Sequence, residues 1–151
     1  MVKNPPAGYH SVTPYLALRD AAAIDFYRRA FGAELLLRLD MPDGKLGHAE
    51  IRIGDSILMF SEENAEWGTQ SPLTLGGSPV FLMIYVPDAD AAFAQALAAG
   101  AVAVEPVKDQ FYGDRTGMVK DPFGYRWTLA THVEDLSQDE VRRRMAAMFK
   151  A

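Results

Sequence analysis

One pattern occurs twice in this chain, about 68 residues apart, and no other feature narrows its fold so far. Residues 16–32 (LALRDAAAIDFYRRAFG) read as a strand, a capping Asp20, an alanine-rich amphipathic helix and a closing Gly32. Residues 84–100 (IYVPDADAAFAQALAAG) repeat that grammar with Asp88 and Gly100, and in both copies the glycine stands twelve positions after the aspartate. A short apolar strand and a hairpin follow each glycine, the hairpin tight at Gly54-Asp55 and broader at Asp121-Pro122-Phe123-Gly124. The simplest fold is α+β: two tandem βαβββ units forming a curved mixed sheet around a concave cavity. A duplicated unit offers a ligand the concave surface between its halves.

Length and composition suit one domain with a real core, at 151 residues and 49% hydrophobic. Either unit alone is near the size at which a core becomes marginal, so the two are expected to share one. The chain has no cysteine, which removes disulfides, thiolate metal sites and thiol nucleophiles and fits a reducing cytoplasm. No stretch approaches the roughly 18 apolar residues that span a bilayer, so the expectation is a cytoplasmic protein with no membrane partner. A net charge of -5 without a basic stripe argues against nucleic acid as the main partner, because neutralising phosphates takes clustered Lys and Arg.

The units are placed at about 10–62 and 79–132, with residues 63–78 as a connector and no third element. Residues 12–19 alternate as a strand, after which Asp20 accepts the orphan amides of a helix running to about Phe31, with Ala23, Ile24, Tyr27 and Phe31 as its apolar stripe. Asp88 opens the second helix, whose stripe is Ala89, Ala92, Phe93, Ala96 and Leu97. A capping box at Ser137-Gln-Asp-Glu starts a C-terminal helix over about 137–150, with Val141, Met145, Met148 and Phe149 on a face that packs on the body or on a second subunit.

Alternation along the strands then sorts side chains by face. A two-residue turn at Gly54-Asp55 sets residue 51 opposite 58 and 49 opposite 60, which gathers Ala49, Ile51, Leu58 and Phe60 against the helix. The other face takes His48, Glu50, Arg52, Ile57, Met59 and Ser61, together with Thr13, Tyr15 and Ala17 from the first strand. In the second unit Leu82, Ile84, Trp127 and Leu129 face the helix, leaving Phe81, Met83, Tyr85, Arg126 and Thr128 for the concave side. An aromatic, methionine and polar lining of this kind is typical of small-molecule cavities.

The segments IDFYRRAFGAEL, GHAEIRIGDSILMFSEE and DRTGMVKDPFGYRWTLATHVEDLS, in this order, resemble the glyoxalase/bleomycin-resistance/extradiol-dioxygenase superfamily, the vicinal oxygen chelate proteins, and within it the PhnB-like branch. The resemblance covers nearly the whole chain. It implies the fold but no single reaction, since the superfamily holds metal-dependent isomerases, epimerases, dioxygenases and thiol transferases beside metal-free proteins that sequester antibiotics. Its enzymes hold a divalent metal with His and Glu at positions that correspond here to Thr13, Met59, Phe81 and Thr128. None of these is a good ligand, and the expectation is that the usual metal site is absent and that no cofactor is bound. The resemblance also implies a homodimer that completes the cavity.

Several residues remain as candidates. His48, two positions from Glu50 on one strand, reads as a hydrogen-bonded structural histidine, as a ligand contact, or as a general base or half of a metal site. Tyr112-Gly113-Asp114-Arg115 reads either as an aromatic wall with a guanidinium that pins an anionic or carbonyl ligand, or as an Asp114–Arg115 pair bracing the loop. Trp67 reads as a lid or a dimer anchor, Asp121–Gly124 as turn chemistry, and His10 and His132 as surface or interface residues. The expected function is metal-independent binding of a small aromatic or antibiotic-like molecule, with Thr13, Tyr15, His48, Met59, Trp67, Phe81, Met83, Tyr112, Arg115, Arg126 and Thr128 as ligand contacts. The alternative is an enzyme of the vicinal oxygen chelate type, a lyase, isomerase or dioxygenase, that works through a divalent metal or through His48 and Glu50, with His48 as general base.

Overall fold

The duplication is visible in the strand order. In the computed structural model, which describes residues 2–150, the first unit runs β1 (Tyr15–Leu18), α1 (Ala23–Phe31), β2 (Glu34–Asp40), β3 (Leu46–Ile53) and β4 (Ser56–Glu62). The second runs β5 (Phe81–Tyr85), α3 (Ala89–Ala99), β6 (Val102–Asp109), β7 (Asp114–Lys120) and β8 (Arg126–His132). Each unit makes its own four-stranded mixed sheet, in the orders β1-β4-β3-β2 and β5-β8-β7-β6. The first strand of each unit lies parallel to the last, and the remaining pairs are antiparallel. The α+β fold of two tandem βαβββ units with a C-terminal helix is therefore as the sequence indicates.

Local chemistry sets most element ends. The Gly54-Asp55 turn pairs Ile53 with Ser56, and the register follows as expected, Ile51 opposite Leu58 and Ala49 opposite Phe60. Gly32 and Gly100 close α1 and α3 in the left-handed conformation at φ 66° and 116°. Asp88 caps α3 by accepting from the Ala91 amide at 3.0 Å. Asp20 does not do the same for α1: its carboxylate accepts from Ala22 N at 2.7 Å, forming a turn, and the helix starts afterwards from an Ala22 without a side-chain cap. β1 is also shorter than residues 12–19, because Pro14 has no N–H to give and joins the ladder only through its carbonyl, which accepts from Met59 N at 2.9 Å.

The connector is more structured than expected. Asn64 caps a single 3-10 turn at Ala65–Trp67, and Ser71 caps α2 (Pro72–Leu75) with Pro72 at its first turn. Glu63 ties α2 to the first unit, accepting from Ser71 N at 2.8 Å, from the Thr74 hydroxyl, and from Arg19 Nε at 3.4 Å. These donors hold its carboxyl down at about 2, against a usual 4.5.

A single aromatic core spans both units. α1 buries Ala23, Ile24, Phe26, Tyr27 and Ala30, and the Tyr27 ring lies 6.1 Å from Phe60 of β4 and 5.3 Å from Trp127 of β8. Phe31 reaches Trp127 at 4.7 Å. α3 presents Ala89, Ala92, Phe93 and Ala96 inward and leaves Leu97 exposed, since the small alanines allow close approach of α1 and the sheet. The outer edge strands are irregular. β2 shifts register between Leu35 and Leu37 and between Leu39 and Asp40, and β6 shifts on both sides of Glu105, next to Pro106.

The C-terminal helix α4 (Gln138–Met148) is capped by Ser137, which accepts from Glu140 N at 3.2 Å. Arg144 bridges it to Glu134 at 2.8 Å, but none of its residues is buried, and Met145, Met148 and Phe149 stay exposed. The expected packing of that face on the body does not occur within one chain. No described helix is long and apolar enough to cross a membrane.

Candidate functional site

Because Leu16, Ala49 and Phe60 are buried against the helices, their strand neighbours Tyr15, His48, Glu50 and Met59 lie on the face turned away. There the register places Tyr15 and Glu50 on either side of Met59. The Tyr15 hydroxyl is 2.9 Å from His48 Nδ1, and His48 Nε2 is 3.1 Å from Glu50 Oε1. Glu50 Oε2 accepts a further hydrogen bond from the Tyr9 hydroxyl, delivered by the N-terminal arm. The row is graded in exposure: Glu50 is 9% exposed, His48 intermediate and Tyr15 52% exposed. Hydrogen bonds from Tyr9 and His48 hold the Glu50 carboxyl below its usual range, and the same contact pushes the Tyr9 phenol up.

The second unit carries a related cluster that the sequence reading missed. The buried Asp114 accepts from the Tyr85 hydroxyl at 2.9 Å and lies 2.7 Å from His132 Nδ1, whose other nitrogen is 2.9 Å from Asp135. The His132 ring is thereby held above its usual range, first by Asp114 and then by Asp135. The parity of the β7–β8 ladder puts Asp114, Met118 and Thr128 on the side away from α3. Phe81, Met83, Tyr85 and Arg126 share that side, with the Arg126 guanidinium carbon 5.5 Å from the Phe81 ring centroid.

The same parity places Arg115 on the other side. It donates to Asp90 of α3 at 2.6 and 2.9 Å and to Asp109 at 3.0 Å, so it braces helix to sheet and is not poised over the concave face. Nor does it pair with Asp114, which is taken by Tyr85 and His132. Tyr112 packs edge-on against Phe111 at 5.2 Å in the β6–β7 loop, and Trp67 is exposed at the rim of a separate groove with Met41, Lys45 and Glu66. Asp121 does more than turn the chain: it is buried and accepts from the Tyr27 hydroxyl, Trp127 Nε1 and the Phe123 and Tyr125 amides.

A cleft of about 440 Å³ opens between the units, lined by Thr13, Ile57 and Leu58 from one and Met83, Ile84 and Trp127 from the other. Tyr15 lines a neighbouring groove of about 320 Å³ with Leu16, Val80 and Leu82. The structure thus brings Thr13 and Met83 together in one cleft, Tyr15 with His48 in one hydrogen-bonded row, and Phe81 with Arg126. It does not gather Trp67, Tyr112 and Arg115 with them.

Thr13, Met59, Phe81 and Thr128 present two hydroxyls, a thioether and a phenyl ring, a donor set that does not suit a divalent cation. Among the described residues no three His, Cys, Asp or Glu side chains converge elsewhere as a metal would require.

Comparison with known proteins agrees with this architecture. The family model described as the Glyoxalase/Bleomycin resistance protein/Dioxygenase superfamily matches residues 18–129. A protein of Mycobacterium bovis is 42% identical over 141 residues, covering 91% of this chain and 93% of the relative. The crystal structure of TioX from Micromonospora sp. ML1 aligns with a TM-score of 0.63 at 28% identity, over 85% of this chain and all of that one. An Arabidopsis thaliana gene product aligns with a TM-score of 0.65 at 28% identity, over 81% of this chain and 98% of that one.

Proposed function

The chain belongs to the glyoxalase/bleomycin resistance/dioxygenase superfamily, and from that premise we propose that it is a metal-independent binding protein for a small aromatic, antibiotic-like molecule. The observation that carries this reading is the row of half-exposed aromatic and methionine side chains on the face away from the helices. Tyr15, Phe81, Met83 and Tyr85 are 52%, 55%, 48% and 62% exposed, and Arg126 stacks over Phe81. Flat side chains of this kind bury area at small entropic cost and stack on planar ligands. The segment DRTGMVKDPFGYRWTLATHVEDLS further supports the PhnB-like branch.

A homodimer in the cytoplasm completes the proposal. Exposed apolar side chains such as Tyr15, Phe81, Met83 and Tyr85 suit an interaction surface, and a second copy laid over them would turn an open face into an enclosed pocket. A second reading, enzymatic proton transfer at His48, is favoured by one specific observation, the hydrogen-bonded chain from Tyr15 through His48 to Glu50.

The deciding experiment is elemental analysis of the purified protein with thermal-shift titration of Zn, Ni, Mn and Fe(II), followed by titration with aromatic antibiotics. The expected result is no stoichiometric metal, no stabilisation by metal, and ligand uptake that falls in Tyr15→Ala and Phe81→Ala. A stoichiometric metal lost in His48→Ala, with uptake unchanged in Tyr15→Ala and Phe81→Ala, overturns the proposal.

A further inference from the structure

The direction of the hydrogen bonds in the Tyr15 row is fixed by its buried end. Glu50 already accepts from Tyr9 and is held ionised, and a carboxylate can only accept. His48 Nε2 therefore carries a hydrogen and donates to Glu50 at 3.1 Å. In the neutral ring this leaves Nδ1 bare, so the Tyr15 hydroxyl donates inward to it at 2.9 Å. With its hydrogen committed inward, the phenol oxygen of Tyr15 has its lone pairs left for the open face. Tyr15 is half exposed while His48 and Glu50 are set back behind it, so a bound molecule meets the phenol first.

We propose that Tyr15 is the group that touches the ligand, that it accepts a proton from an acidic hydroxyl, phenolic or enolic, and that it passes its own proton to Nδ1 of His48. This rests on the binding reading above and names the ligand class of the same face. The ligand O–H bond breaks and its proton goes to the Tyr15 oxygen, while the Tyr15 O–H proton moves to His48. The bonding pair stays on the ligand oxygen as an anion, and the imidazolium formed lies between Tyr15 and the Glu50 carboxylate. Nothing is oxidised or reduced, and no co-reactant enters. His48 and Glu50 are positioning residues in this scheme. Tyr85 in the second unit is not equipped in the same way, since its hydroxyl donates to the Asp114 carboxylate and not to an imidazole nitrogen.

The test uses para-nitrophenol, whose anion absorbs in the visible, at a pH where the free probe is mostly neutral, with para-nitroanisole as the probe lacking the proton. Wild-type protein is expected to bind both probes and to show the phenolate band with nitrophenol. In His48→Gln and Tyr15→Phe the phenolate band, taken per nitrophenol bound, should fall at least about tenfold. Nitrophenol bound without the band overturns the relay and leaves the binding reading intact. Failure of both probes to bind overturns both. Nitrogen NMR of the free protein provides an independent check, with the Nε2–H tautomer of His48 expected and the Nδ1–H tautomer fatal to the proposal.

Discussion

The hydroxyl of Tyr27 on α1 donates to the carboxylate of Asp121 in the β7–β8 hairpin at 2.8 Å, joining residues 94 positions apart and belonging to different units. Burial raises the Asp121 carboxyl, and its four donors draw it back towards the charged form. Tyr27→Phe removes one donor and should cost about 1–3 kcal/mol in urea unfolding. Asp121→Ala strands four donors at once and should exceed about 4 kcal/mol. Equal effects of the two variants would refute this account of the hub.

Glu63 makes stability depend on pH. Its carboxyl sits at about 2 in the folded chain against a usual 4.5, so its contribution is present above about 4.5 and is lost as pH falls towards 2. Melting curves of wild type and Glu63→Gln should differ at pH 7 and converge on acidification. A gap that widens in acid would contradict the assignment.

Gly113 is held at φ 99°, and a Cβ there would run into the Glu134 carbonyl, whose own amide donates to Gly113 O at 3.0 Å. Gly113→Ala should therefore destabilise by more than the roughly 1–3 kcal/mol of an unfavourable backbone conformation alone, because the clash adds to it. Gly32→Ala also has positive φ but open space around it, and serves as the milder control in the same thermal melts.

Arg115 and Arg126 are separated by side. Since Arg115 is bonded to Asp90 and Asp109 on the helix side, Arg115→Ala should leave aromatic uptake unchanged and cost little stability, because solvent screens its ion pairs. Arg126→Ala should weaken uptake, because it removes the cation above Phe81. Fluorescence titration of both variants reads the contrast, and the reverse order would argue against the concave face as the site.

Self-association should be visible by sedimentation at micromolar concentration, as a dimer in wild type that dissociates in Phe81→Glu. A wild-type monomer would remove the second copy from the proposal.

What the sequence shows is mainly what adjacent residues decide. The turn at Gly54-Asp55, the caps at Asp88 and Ser137 and the closing Gly32 and Gly100 are local, and the register and faces follow from them by alternation. Asp20 misleads because a carboxylate two residues ahead of an amide can close a turn as readily as cap a helix. Tyr9 on Glu50 and Tyr27 on Asp121 are joined across 41 and 94 positions, where no local signal points from one to the other. Arg115 was within reach: counting back from the Asp121 hairpin, Val119 and Gly117 face Trp127 and Leu129, which puts Arg115 with them on the helix side.

The register slips in β2 and β6 have a consequence for how copies can meet. Two similar sheets per chain, each with an open outer strand, could in principle add strand to strand from molecule to molecule and grow without limit. A bulged β2 and a β6 interrupted at Pro106 cannot offer a long, even run of free amides and carbonyls. Strand-to-strand growth is thereby disfavoured at both outer strands, β2 and β6.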